Sequence, residues 1–224
     1  MRKINKMSSP DWFEKWKDDY KSSNGDDAGY EDLDNMTRRN LREQLISEQG
    51  KICCYCMRRI NLNASHIEHF KPREKYKKLE MDYNNMFASC TGQENEAQYI
   101  KWHCDPRKDN WFDERMPELT SFDIEKCIKY QYSGRVVPYH EKNDSRHELE
   151  KIMIEKLGLN ADYLVRNRRL AISKSELSDE VEYSDSDWSD FIRYYDNIHN
   201  GEYEEYCGMF IVLMNELIKG TYKN

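Results

Sequence analysis

Cys53-Cys54-Tyr55-Cys56, His66-Ile67-Glu68-His69-Phe70-Lys71-Pro72, Tyr83-Asn84-Asn85-Met86, Cys90 and His103-Cys104-Asp105-Pro106-Arg107-Lys108 follow one another between residues 53 and 108. Soft ligands bracket an acid–histidine doublet and an asparagine. Cys53-x-x-Cys56 combined with Cys90 and Cys104 supplies four thiolates, a set that suits tetrahedral Zn²⁺ at a closed structural site. The gap from Cys90 to Cys104 requires a looped-out insertion, and Gly92-Gln93-Glu94-Asn95-Glu96 has the composition for one. Two alternatives in the ligand set stay open at this level: His103 for Cys104, and Cys54 for Cys53. Cys127 and Cys207 lie in apolar patterns and read as core.

The bulk numbers agree with a metal-stapled protein. The chain has 224 residues, 38% hydrophobic and 34% charged, so its core is modest for its length. Sixteen Tyr and five Trp still argue for a folded chain. Neither a bilayer-spanning apolar run nor the apolar segment of a signal peptide is present, so a cytoplasmic protein without membrane contact is expected. In that reducing compartment seven cysteines are not expected to form a disulfide framework, and metal ligation explains four of them better. A net charge of −7 excludes a surface coated with positive potential, but not a local basic groove.

Working outward, Trp12, Phe13 and Trp16 fall at helical spacing behind Ser8-Ser9-Pro10-Asp11. A second helix is expected from Thr37 to Gly50, with Leu41, Leu45 and Ile46 on its buried stripe. It leads straight into the first cysteine pair. Beyond the bracket, Cys127 to Val137 alternates around Ser133-Gly134 and predicts a hairpin. A helix from Asp144 to Gly158 follows, then one capped by Asn160. Residues 176–190 read as an acidic, serine-rich linker, and Tyr203–Lys219 as an apolar terminal helix.

Hydrolysing a phosphodiester takes an activated water, a cation on the non-bridging and leaving oxygens, and groups that hold both in line. Glu68 and His69 are candidates for two of those tasks. Neighbours on a strand point to opposite faces, so both can address one phosphate only at a kink or strand end. Lys71, Arg73, Arg107 and Lys108 are the expected phosphate-docking cations, standing beside the doublet in an otherwise acidic chain.

Residues 53–108 resemble an HNH endonuclease of the ββα-metal type. More narrowly, the motifs above, Leu41-Arg42-Glu43-Gln44-Leu45, and Leu157-Gly158-Leu159-Asn160 with Arg166 resemble the HNH nuclease subunit (PtuB-like) of Septu-type and retron-associated antiviral defence systems. The resemblance implies an α+β fold: a small ββα-metal core with a zinc staple over 51–116, a helical extension over 1–50, and a mainly helical region over 117–224. It implies His69 as general base and Asn85 as the residue that orients its ring. It implies Glu68 and Asp105 as ligands of a catalytic Mg²⁺ or Mn²⁺, with Asp109 or His103 as alternatives to Asp105. The final motif position departs from the family pattern, since no histidine follows Cys104. The expected substrate is nucleic acid, DNA ahead of RNA, and the implied partner is a PtuA-like ATPase subunit. The alternative is a zinc-stapled nucleic-acid-binding or adaptor module without catalysis; a cysteine-based redox protein is disfavoured by the distant second cysteine pair.

Overall fold

The computed structural model describes residues 1–178 and 183–219. It is a helix-rich, mixed structure with two small antiparallel hairpins. Helix α1 spans Asp11–Asn24 and α2 spans Asn35–Glu48. Strands β1 (Ser65–His69) and β2 (Met86–Cys90) pair in register from Ser65 opposite Cys90 to His69 opposite Met86. A single turn of helix, α3 (Asp105–Lys108), follows.

The start of α2 is set by a side chain that the apolar pattern does not include. Asp34 accepts from the backbone N–H groups of Met36 and Thr37, so the helix begins before the expected Thr37. Leu41 and Leu45 are fully buried and Ile46 nearly so, each contributing roughly 1.5–3 kcal/mol of burial. Gly50, at φ +60°, ends the helix in the left-handed conformation. Next to it, the Gln49 amide clips α2 to β2: its Nε2 donates to Ile52 O and Ala88 O, and its Oε1 accepts from Ala88 N. That clip fixes the cysteine turn against the strand that ends at Cys90.

The second half forms a layer behind this hairpin. Strands β3 (Ile128–Tyr130) and β4 (Val136–Pro138) make the expected hairpin, and helices α4 (His147–Lys156) and α5 (Asp162–Ile172) follow. Asn160 does not cap α5. Its amide instead bonds both backbone groups of Val136, at 2.9 Å each, tying α5 to β4. The acidic stretch is also revised. Residues 179–182 lie outside the described residues, but Asp185–Asp196 form helix α6, started by a reciprocal Ser184–Asp187 capping box. Its apolar face, and Tyr195 stacked on Phe210 at 4.4 Å, pack on the terminal helix α7 (Cys207–Ile218), which is largely core. Among the described residues, no helix is long and apolar enough to cross a membrane.

Candidate functional site

Cys53, Cys56, Cys90 and Cys104 come together with all four sulfurs within 4.8 Å of one another, and all are buried. A tetrahedron with Zn–S bonds of about 2.3 Å has edges of about 3.8 Å; Cys56 and Cys90 Sγ are 3.8 Å apart. The donor set and its size fit zinc. Cys90 N donates to Cys53 Sγ at 3.3 Å, and the neighbouring thiols hold the Cys53 sulfur well below the usual thiol range against its burial. The Cys54 thiol lies outside the cluster and is pushed up by burial and the Cys53 sulfur beside it. Of the two, Cys53 is the one placed in the cluster that could hold a metal.

His103 lies against this cluster. Its Nδ1 lies 3.2 Å from Cys104 Sγ and 3.7 Å from Cys90 Sγ. Burial drives its imidazole down to about 4, so it is neutral near pH 7. The insertion between Cys90 and Cys104 closes at Gly92, whose φ is +55° and whose carbonyl accepts from His103 N. A Cβ at Gly92 would fall 1.9 Å from His103 O. Gly92→Ala is expected to destabilise the fold by at least about 2 kcal/mol, from left-handed strain and a clash against backbone. Melting temperature and bound zinc should both fall; an unchanged melt would mean that the loop yields freely.

The doublet stands at the far end of β1, facing an open cleft of about 770 Å³. His66, Glu68, His69 and Asp105 all line it, with Arg38, Arg42 and Tyr30 among the other walls. The strand-end condition is met: His69 is the last residue of β1, and Phe70 N turns to Asn85 O. Burial drives the His69 imidazole down to about 4, so it is neutral near pH 7. Its Nε2 lies 2.9 Å from the carbonyl of Glu80, an acceptor only, so Nε2 carries the hydrogen and Nδ1 is the bare nitrogen. The Tyr30 ring meets the imidazole edge-on at 4.7 Å.

Asn85 does not touch His69. Its Oδ1 accepts from Lys71 N, and its Nδ2 donates to the carbonyls of Lys71 and Leu79. It thereby pins both ends of the 71–79 loop, and that loop delivers the Glu80 carbonyl to the imidazole. The orienting group is a backbone atom, which leaves no trace in sequence. Asn84 is exposed and bonds only Asp82.

Asp105 Oδ2 meets His66 Nδ1 at 3.0 Å, and His66 Nε2 meets Glu94 at 3.1 Å. Hydrogen bonding to Asp105 holds the His66 imidazole above its ordinary value. Glu68 is buried, accepts from Tyr55 Oη at 2.6 Å, and pairs with Lys108 Nζ at 2.7 Å. Burial pushes the Glu68 carboxyl up to about 8 against the pull of the Lys108 ammonium, while Asp105 is held below the usual carboxylate range. The negative charge of Asp105 adds to that rise, so the two carboxyls lie close enough to interact. Two interacting carboxyls, with an imidazole beside one of them, are donors of the kind that a hard divalent cation takes. Asp109 lines the same cleft.

The expected phosphate-binding cations are largely displaced. Lys108 is buried, with Nζ on Glu68 and on the carbonyl of His69, so it cannot meet a phosphate from solvent. Lys71 pairs with Glu118, and Arg107 stacks on Tyr99; neither lines the cleft. Arg73 does. Sequence reasoning missed Tyr55, Arg38 and Arg42, although Tyr55 stands inside the cysteine turn and Arg42 inside the quoted α2 motif. Lys108→Met removes one partner of a buried ion pair and is expected to cost about 3 kcal/mol of stability. Denaturant unfolding measures it, and a loss below about 1 kcal/mol would show that a protonated Glu68 tolerates the change.

No family model matches the chain. A protein of Vibrio cholerae serotype O1 biovar El Tor named "Retron Vc95 putative HNH endonuclease" is 26% identical to it over 140 residues. The aligned region covers 61% of this chain and 65% of the relative's length. The similarity supports an HNH endonuclease family. The four-cysteine cluster and the two-stranded hairpin stand within that frame as a site compatible with zinc and a small sheet beside it.

Proposed function

We propose that this chain is a metal-dependent HNH endonuclease that hydrolyses phosphodiester bonds of nucleic acid, built on a ββα-metal core of β1, β2 and α3. The observation that carries the reading is one cleft holding a neutral His69, with Nδ1 bare, beside the acids Glu68 and Asp105. In this reading Glu68 and Asp105 hold Mg²⁺ or Mn²⁺, with His66 steadying Asp105. The bound cation supplies charge neutralisation for the phosphate and the leaving oxygen. His69 Nδ1 takes the proton from the attacking water, while its Nε2–H stays on the Glu80 carbonyl and keeps the ring aimed. Asn85 acts one step back, as a positioning residue, by holding the loop that carries Glu80. Tyr55 and Lys108 hold Glu68 Oε1 and so fix the orientation of the acid.

The resemblance and the relative's retron name further support a role as the nuclease effector of an antiviral defence complex, controlled by an ATPase subunit, in the cytoplasm. DNA is the favoured substrate. The test is incubation of the purified chain with DNA and with RNA in Mg²⁺ or Mn²⁺, alone and with any ATPase encoded beside its gene. Cation-dependent cleavage is the expected result. Failure to cut either polymer under all of these conditions refutes the enzyme reading.

A further inference from the structure

The wall of the cleft contributed by the N-terminal region is built from cations that the chemistry above does not use. Arg38 and Arg42 stand one helical turn apart on α2, and Arg73 enters from the 71–79 loop. Tyr30 is clasped by two of them: Arg73 lies 4.3 Å and Arg38 4.8 Å from its ring centroid, while its edge meets His69. A buried aromatic ring thus sets two guanidiniums at a fixed place relative to the proposed base.

Their hydrogen-bonding capacity is underused. Arg42 bonds the Ser65 carbonyl at 3.2 Å, Arg38 Nη2 bonds the carbonyls of Tyr30 and Leu33 at 3.2 and 3.4 Å, and the Nε of each is buried and, among the described residues, without a partner. Among the described residues, Arg42 has no carboxylate within ion-pair distance. A guanidinium is a fork of five donors shaped for a planar or tetrahedral oxyanion. The Nε atoms are buried, so what a ligand's oxygens would meet is the outer part of each guanidinium, on residues that line the cleft. One internal anion already approaches: Glu31 pairs with Arg73 at 2.5 Å and reaches Arg38 at 3.8 Å, with its side chain 72% exposed. Two cations around one exposed carboxylate make an oxyanion seat with a removable occupant.

We propose that Arg38, Arg42 and Arg73 form a clamp for backbone phosphates of the nucleic acid, with Tyr30 as its spine and the Glu31 carboxylate as a stand-in that the substrate displaces. The proposal rests on the nuclease reading for its substrate class. It accounts for how a chain of net charge −7 grips a polyanion: three arginines stand together on the cleft.

The test separates binding from cleavage. Anisotropy of a fluorescein-labelled DNA duplex, and of an RNA of the same sequence, is measured across a salt series without added Mg²⁺ or Mn²⁺, with cleavage assayed separately. Arg42→Ala and Arg38→Ala should each flatten the slope of log K against log salt by about 0.9, the signature of one lost phosphate contact. Arg42→Lys should keep the slope, Glu31→Gln should tighten low-salt binding several-fold, and Lys15→Ala on exposed α1 should change nothing. If slope loss occurs on only one of the two polymers, that polymer is the source of the phosphates. If wild type binds while both arginine variants melt normally and keep the full slope, the clamp is overturned and the nuclease reading stands. Absence of wild-type binding to either polymer overturns the clamp; cleavage in Mg²⁺ still decides the enzyme question.

Discussion

His69→Ala is expected to lower cation-dependent cleavage by about 10³-fold, within the range that a positioned general base supplies. The imidazole is neutral near pH 7 and has one nitrogen committed to the Glu80 carbonyl, which leaves Nδ1 free for the proposed role of base. Removing the ring deletes that base and the edge contact with Tyr30, but no thiolate and no oxygen ligand. Bound zinc should therefore stay at its wild-type stoichiometry, and stability should fall by only about 1–2 kcal/mol. Metal analysis and thermal melting alongside the rate separate lost chemistry from lost fold. Retained cleavage at the wild-type rate would remove His69 from the mechanism. Asn85→Ala should act differently, since it frees the loop and not the base: a graded loss accompanied by a lower melting temperature.

Cys53→Ser is expected to abolish stoichiometric zinc and to unfold much of the chain at ordinary temperature. Structural zinc sites in small peptides are worth about 10–16 kcal/mol in apparent binding free energy, so even a part of that exceeds typical domain stability. The site joins the Cys53 turn, the end of β2 and the N-terminus of α3, and Ser89 continues the connection, with its Oγ 3.6 Å from Cys53 Sγ and accepting from Asp105 N at 3.4 Å. Loss of the metal should thus disorder Asp105 as well as the staple. Cys54→Ser is the control, because its sulfur lies outside the cluster: zinc stoichiometry should be unchanged. Elemental analysis of the two variants decides it, and equal zinc in Cys53→Ser and wild type would refute the ligand set.

Much of the fold was legible because periodicity and turn chemistry are local. The Leu41–Leu45–Ile46 stripe and the Ser133-Gly134 turn depend on neighbours within a few residues, and the helix and hairpin formed where they were read. The acidic linker was misread because composition outweighed the Ser184–Asp187 box, which starts α6 and lets Tyr195 reach Phe210. Lys108 was misread for a related reason. A lysine beside a metal-ligand motif suggests solvent and phosphate, but the turn of α3 points it inward to neutralise Glu68. Only burial distinguishes the two, and burial is a property of the whole chain.

The sequence alone determined the chemical inventory: four thiolates at metal-binding spacing, an acid–histidine doublet, an asparagine between them and an acid after the last cysteine. These are side-chain identities, and no packing alters them. The tertiary structure decided how they are used. It chose Cys53 over Cys54, set His103 against sulfur, joined Glu68 to Lys108 and Asp105 to His66, and made a backbone carbonyl at Glu80 the group that selects the His69 tautomer. It also brought Arg38 and Arg42 of α2 across to the same cleft. Contacts of this kind join residues far apart in the chain or use atoms common to every residue, so only the folded arrangement could reveal them.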